Sequence, residues 1–100
     1  MSAPSSLTIT PTGSGLTVVG EIDAHTAPTL ATAIADCDQH TVIVDMSSVD
    51  FVDSSGLRVL IEAHQAADQN GRSLQLANPS TAVSRLLEIS GVSDYLDVVS

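Results

Sequence analysis

Apolar and polar residues alternate with a period of two near the start of the chain, at positions 7–10 and, less strictly, at positions 16–19. Such alternation is typical of strands that bury one face. The residues between them, at 12–15, are small or polar and typical of a turn. The pattern predicts a β-hairpin, preceded by a flexible N-terminus at residues 1–6.

Apolar residues then recur at helical spacing in the segment that follows the hairpin. The recurring positions are Ala27, Leu30, Ile34 and Cys37. Asp23 or Thr26 can cap this first helix, and Pro28 is tolerated in its first turn because the amides there lack helical partners. Cys37 is the only cysteine, so it has no partner for an internal disulfide, and it is expected to be a buried structural thiol.

A central strand is predicted at residues 41–46, where β-branched apolar residues follow one another without alternation. An uninterrupted apolar run is typical of a strand that is buried on both faces, so helices are expected to cover it. In the segment after this strand, Val49, Phe51 and Val52 are expected to pack against the core.

Two further helices are predicted in the second half of the chain. Their apolar stripes are Leu57, Leu60, Ile61, His64 and Ala67 in one, and Val83, Leu86, Leu87 and Ile89 in the other. His64 is expected to be a hydrogen-bonded structural histidine. Asn70 with Gly71, and later Gly91, end these helices, and strands are predicted at 73–77 and 95–99.

The predicted order of elements is β-β-α-β-α-β-α-β. Strands that alternate with helices indicate parallel neighbours joined by right-handed crossovers, and the hairpin adds an antiparallel edge. The sequence therefore predicts one α/β domain with a mixed, mostly parallel sheet of four to five strands and helices packed against it.

The charge of the chain argues against several classes of protein. The formal net charge is −9, and the only Lys or Arg residues are Arg58, Arg72 and Arg85. Such a surface repels nucleic acid and anionic membranes, so neither is an expected partner. The absence of lysine excludes P-loop, Schiff-base and kinase chemistry. No apolar run approaches the roughly 20 residues of a membrane span and no signal peptide is present, so a soluble, cytoplasmic protein is expected.

The candidate chemistry lies in residues 53–57, Asp-Ser-Ser-Gly-Leu, where a strand gives way to a helix. Asp53, Ser54 or Ser55 can cap that helix. A glycine costs about 1 kcal/mol in a helix interior, so Gly56 indicates that something approaches the backbone closely. A phosphate is one candidate, since free amides and the helix dipole favour an anion, and a partner protein is another.

The sequence gives less support for a metal site or for a catalytic serine. Asp45, Asp50 and Asp53 cluster in sequence and could hold Mg²⁺, which leaves a small metal-dependent hydrolase as an alternative, although each carboxylate has a simpler role in a turn, a cap or solvent. Neither serine lies on a Gly-x-Ser-x-Gly elbow. The chain has three histidines, His25, His40 and His64. Nothing in their spacing pairs them with a serine.

Three segments together carry a family resemblance. Residues 44–57 closely resemble the signature of the STAS domain, as found in bacterial anti-anti-sigma factors. Residues 20–27 resemble the family's Gly-Glu-Leu-Asp segment, and residues 86–92 resemble its third helix and glycine stop. The resemblance assigns residues 7–100 to a STAS domain. Family members usually continue past the last strand into a final helix, whereas this sequence ends at Ser100, which fits either a trimmed sequence or a minimal member of the family.

The resemblance implies an anti-anti-sigma factor, a binding protein without a cofactor rather than an enzyme. In that family the serine directly after the aspartate, here Ser54, is phosphorylated by an anti-sigma factor that is an ATP-dependent serine kinase. A PP2C-type phosphatase reverses the modification. The unphosphorylated protein binds the anti-sigma factor and frees the sigma factor, and the phosphorylated protein does not.

By the same resemblance, a partner-facing patch surrounds this serine. Its expected members are Asp23, His25, Thr26, Asp53, Ser54, Ser55, Gly56, Leu57 and Arg58. The main alternative keeps the fold and changes the assembly, to another signalling complex or a transporter-associated STAS protein.

Overall fold

The computed structural model describes residues 6–99. Its elements are, in chain order, β1 (Leu7–Pro11), β2 (Gly15–Ile22), α1 (Ala27–Ala35), β3 (Thr41–Val52), α2 (Ser54–Gln69), β4 (Ser73–Ala77), α3 (Thr81–Ser90) and β5 (Asp97–Val99). This is the order that the sequence predicts. Of the expected flexible N-terminus, residues 1–5 lie outside the described residues, while the Ser6 carbonyl accepts a hydrogen bond from the Glu21 amide at 2.9 Å.

The five strands form one sheet in the order β1-β2-β3-β4-β5. The β1 and β2 strands pair antiparallel, and every other pair is parallel, which confirms the predicted mixed, mostly parallel sheet. Because β2, β3 and β4 run in the same direction, their carboxyl ends meet at one edge of the sheet. The residues that follow β2 and β3 therefore become neighbours there.

The central strand is longer than predicted. It spans 12 residues, because the segment after Met46 continues to pair with β2 instead of leaving the sheet. Register shifts occur along this pair, which ends with Glu21 opposite Phe51 and Ile22 opposite Val52. Val52 is buried as expected, but Phe51 is 49% exposed, so its predicted place in the core is wrong.

The core lies on one face of the sheet. A single cluster of buried residues joins alternate positions of the strands to all three helices, for example Val18 and Val44 to Leu30, Leu60 and Val83. The intervening strand positions do not belong to this cluster. The expectation that β3 is buried on both faces is therefore wrong, because the helices all pack onto the same side of the sheet.

Helix α1 ends earlier than its apolar periodicity indicates. Cys37 lies beyond the helix, is only half-buried and donates a weak hydrogen bond from Sγ to the Ala33 carbonyl at 3.4 Å. Partial burial raises the pKa of the Cys37 thiol. The guanidinium of Arg72 donates to the carbonyls of Cys37 and Gln39 and so ties the end of this segment to the start of β4.

The last elements also differ in detail from the prediction. Strand β5 begins at Asp97, and Tyr95 lies in the preceding turn with its ring 5.0 Å from that of His64. The predicted hydrogen bond of His64 is absent at Nδ1, which is buried without a partner among residues 6–99. Ile89 is 78% exposed and does not belong to the apolar face of α3, contrary to the periodicity.

Candidate functional site

Asp53 is the residue that caps helix α2. Its backbone is extended, and its carboxylate accepts hydrogen bonds from the amides of Ser55 at 2.9 Å and Gly56 at 3.3 Å. The Asp53 amide donates to the Ile22 carbonyl at 3.1 Å, which fixes the cap against the end of β2. Of the three residues that could have capped this helix, the aspartate takes the role, and neither serine is needed for it.

Ser54 is the first residue of α2 and is exposed. Within the part of the chain that the structure describes, its hydroxyl has no hydrogen-bond partner. It borders an open depression of about 560 Å³, whose other lining residues are Ala24, Ala27, Pro28, Ser55, Arg58 and Val59. The walls are mostly small and apolar, and Ser54 itself is exposed, so the serine is accessible to another protein.

Gly56 has a packing role. A Cβ atom at this position would lie 2.6 Å from Cγ2 of Ile22 and 2.7 Å from Cγ2 of Val52. The glycine lets the first turn of α2 lie directly on the ends of β2 and β3. The sheet's own side chains therefore account for the glycine, and the approach of a phosphate or partner is not needed to explain it. Gly56 is buried and offers no side chain to a partner.

The loop between β2 and α1 forms the other half of the site. The Asp23 carboxylate accepts from the amides of His25 at 2.9 Å and Thr26 at 3.1 Å. The Thr26 hydroxyl donates to the Glu21 carbonyl at 2.8 Å and accepts from the Asp23 amide at 3.0 Å. Thr26 occupies the N-cap position of α1, but its side chain makes no capping hydrogen bond to the helix. Both side chains instead fix the loop that leads into the helix.

The structure brings the predicted site residues together at one edge of the sheet but does not expose all of them. Ser54, His25 and Arg58 are exposed, and Asp23, Asp53, Ser55 and Leu57 are half-buried, with Leu57 packed against the core. Thr26 is only 6% exposed, so a direct contact of its side chain with a partner is not supported. Its role is to shape the loop that carries His25.

Arg58 is the nearest positive charge to Ser54 in sequence, one helical turn away. Its Nε lies 3.9 Å from a carboxylate oxygen of Glu62, and the two side chains are 80% and 66% exposed. An exposed pair at this distance contributes little to stability. The guanidinium is therefore free to rearrange when charge is added nearby.

Sequence reasoning missed the residues that wall the depression on the side of α1, namely Ala24, Ala27 and Pro28. Ala27 is a buried core position, as its helical spacing predicts, and Ala24 and Pro28 carry no polar group that would mark them. Only the packing of α1 beside α2 brings them next to Ser54.

The three clustered aspartates have separate surroundings. The Asp45 carboxylate accepts from the Ser47 amide at 3.0 Å and the Ser47 hydroxyl at 2.8 Å, and these bonds hold the pKa of Asp45 below its ordinary value. Asp53 caps α2, and Asp50 is exposed. Among residues 6–99, no three His, Cys, Asp or Glu side chains are grouped so that they could hold a metal ion. No helix in the same range is both long and apolar enough to cross a membrane.

These features define an α/β domain of one helical layer on a mixed sheet, with an accessible serine directly after the aspartate that caps α2. The STAS domain family matches residues 6–100 of the chain, which therefore belongs to that family. The resemblance inferred from the three sequence segments is confirmed.

Comparison with individual proteins agrees with this assignment. An anti-sigma-B factor antagonist of Listeria monocytogenes is 37% identical over 84 residues, which are 81% of this chain and 74% of the relative. The structure of the anti-sigma factor antagonist SpoIIAA in its unphosphorylated form superposes with a TM-score of 0.69 at 20% identity, over 95% of this chain and 89% of that one. The phosphorylated form of SpoIIAA from Bacillus gives a TM-score of 0.66 at 20% identity, over 95% and 92%. At this identity the two structures establish the fold.

Proposed function

We propose that this protein is an anti-anti-sigma factor whose binding is switched by phosphorylation of Ser54. In the unphosphorylated state it binds an anti-sigma factor and so releases a sigma factor. The anti-sigma factor is also the serine kinase that modifies Ser54, and a PP2C-type phosphatase restores the active state. In this role the protein is a binding module and a kinase substrate, and it performs no catalysis of its own.

The arrangement of Asp53 and Ser54 carries the proposal. Because the aspartate satisfies the first amides of α2, the serine hydroxyl next to it has no structural task and faces solvent. A kinase can reach this hydroxyl without unfolding the helix. The relative that is 37% identical over 84 residues is named an anti-sigma-B factor antagonist, which supports the same function.

The switch acts on the partner rather than on the fold. Phosphorylation adds about −1.5 to −2 charges, and the start of a helix is a favourable place for negative charge. A doubly charged phosphate about 6 Å from a partner carboxylate costs roughly 1 to 5 kcal/mol, for effective dielectric constants between about 80 and 20. That is roughly tenfold to thousands-fold in affinity, so repulsion across the interface is sufficient.

The test begins with capture of the partner. Wild-type protein, Ser54→Ala and Ser54→Asp are immobilised and exposed to a lysate of the source organism, and retained proteins are identified by mass spectrometry. We expect an ATP-dependent serine kinase on the first two and not on Ser54→Asp. Incubation of that kinase with ATP should add one phosphate to the wild type and none to Ser54→Ala.

Ser55→Ala is the matched control, since it removes the adjacent hydroxyl and leaves Ser54 in place. It should be phosphorylated as the wild type is. Peptide fragmentation that located the phosphate on Ser55 would refute the assignment of the site. Retention of a membrane transporter in place of a kinase would favour a STAS domain that serves a transporter.

A further inference from the structure

One face of the sheet is left uncovered by the helices. The strand residues on this face alternate with those that point into the core, and some of their side chains are large and apolar. Phe51 is 49% and Val19 is 42% exposed, and Ile43 is half-buried but lies outside the core cluster. Large exposed apolar side chains on a sheet face are typical of an interaction surface.

The register places two of these residues close together. Val19 lies opposite Ser48, and Glu21 lies opposite Phe51, so the four side chains form one patch across β2 and β3. We call these four residues the open-face patch. It lies at the carboxyl end of the strands, where Ile22 pairs with Val52 immediately before the cap of α2. The patch therefore adjoins the edge of the sheet that carries Ser54.

The charged residues of the strands are all acidic. The five strands contain Glu21, Asp45, Asp50 and Asp97 and no lysine or arginine. Asp45, which shares the open face, is held in its ionised form by two hydrogen bonds from Ser47. The arginines lie on helices or, in Arg72, donate to backbone carbonyls away from this face. An acidic rim thus accompanies the exposed phenylalanine.

We propose that the anti-sigma factor docks across the Ser54 edge and onto the open-face patch, through apolar side chains that bury Phe51 and flanking Lys or Arg residues that face Glu21 and Asp45. This inference rests on the proposed function and names the chemistry of its partner. A second copy of the chain is a poor occupant, since each copy carries a net charge of −9 and would bring acidic residues against acidic residues.

Two substitutions distinguish binding at this surface from non-specific hydrophobic binding. Phe51→Ser removes the exposed ring of the patch, and Ile89→Ser removes the 78% exposed side chain of α3, which serves as the matched control. Neither side chain is part of the core, so both variants should fold, which circular dichroism will verify. Burial of the exposed half of a phenylalanine corresponds to about fivefold to tenfold in affinity.

The first measurement needs no natural partner. A synthetic amphipathic helix of about four turns, with leucine on one face and lysine on the other, is titrated into isotopically labelled protein and followed by NMR. We expect the largest chemical-shift changes at Val19, Glu21 and Phe51, and about fivefold to tenfold weaker binding in Phe51→Ser with less than about twofold change in Ile89→Ser. Shift changes confined to the groove between α1 and α2, or equal effects of the two variants, would overturn the proposal.

The second measurement uses the kinase captured by the wild-type protein. Its dissociation constant should rise about fivefold to tenfold for Phe51→Ser and stay unchanged for Ile89→Ser. Glu21→Gln should weaken binding and reduce its dependence on salt. If the kinase phosphorylates Ser54 but binds Phe51→Ser as tightly as the wild type, the docking proposal fails and the proposed function stands. If the peptide binds the patch but no kinase modifies Ser54, the proposed function fails instead.

Discussion

Substitution of Gly56 by alanine distinguishes a packing role from a binding role for this glycine. The added Cβ would lie 2.6 and 2.7 Å from methyl groups of Ile22 and Val52, far inside van der Waals contact. Both neighbours are β-branched and buried, so they cannot rotate away at low cost. The start of α2 must therefore move away from the sheet.

Two opposing effects set the size of the change. Overpacking of a tight core costs typically 1 to 3 kcal/mol, whereas alanine is favoured over glycine in a helix by about 1 kcal/mol. Because the two contacts of 2.6 and 2.7 Å are so short, the overpacking cost falls in the upper part of that range, about 2 to 3 kcal/mol. We therefore expect the free energy of unfolding of Gly56→Ala to fall by about 1 to 2 kcal/mol. For a chain of this length that lowers Tm by roughly 5 to 15 °C.

Urea denaturation with calorimetry provides the assay, and Gly13→Ala is the control. A Cβ at Gly13 would meet nothing within 4 Å, so this variant should be as stable as the wild type or slightly more so. A Gly56→Ala protein that unfolds at the wild-type urea concentration but no longer binds the anti-sigma factor would refute the packing argument. It would show that the glycine serves the partner.

Substitutions at three other residues test the electrostatics of the protein. Asp53→Ala removes the cap of α2 and should lower the free energy of unfolding by about 0.5 to 2 kcal/mol in urea titrations. Asp53→Asn retains an acceptor, so its free energy of unfolding should fall by less. Equal losses of stability in the two variants would argue against the capping bonds. In protein carrying phosphoserine at position 54, Arg58→Gln should raise the second pKa of the phosphate by a few tenths, because a cation one turn away favours the dianion. The pKa is measured by ³¹P NMR titration. An unchanged titration curve would show that the guanidinium does not approach the phosphate. The pKa of Asp45 is lowered in the folded state, so its contribution to stability is present above the unfolded pKa of about 3.9 and is lost as the pH falls through the lower folded value. Asp45→Asn should make the free energy of unfolding depend less on pH in that acid range. An acid-unfolding curve identical to that of the wild type would contradict this role of Asp45.

Local patterns were sufficient for the order of elements and for the family. Strand and helix periodicities depend on residues two to four positions apart, so each element could be predicted from its own segment. The motif around Ser54 is likewise a local run, and its place between β3 and α2 is as predicted. The ends of elements were less predictable, as Cys37 and Tyr95 illustrate, because apolar residues beyond a helix or strand can still contact the core.

The roles of individual site residues depended on contacts between distant segments. Asp53, Ser54 and Ser55 are equally able to cap a helix, and the choice follows from how the end of β2 holds the Asp53 amide. The packing that explains Gly56 involves Ile22, which is remote in sequence.

The apolar run of β3 shows most clearly what a pattern cannot contain. It correctly predicts a central strand, but it cannot tell whether one or both faces of that strand are covered. That depends on which side of the sheet each helix packs, and here all three lie on one side. Phe51 is exposed for this reason, because the coverage of a side chain is set by chain segments that its own neighbours in sequence do not specify.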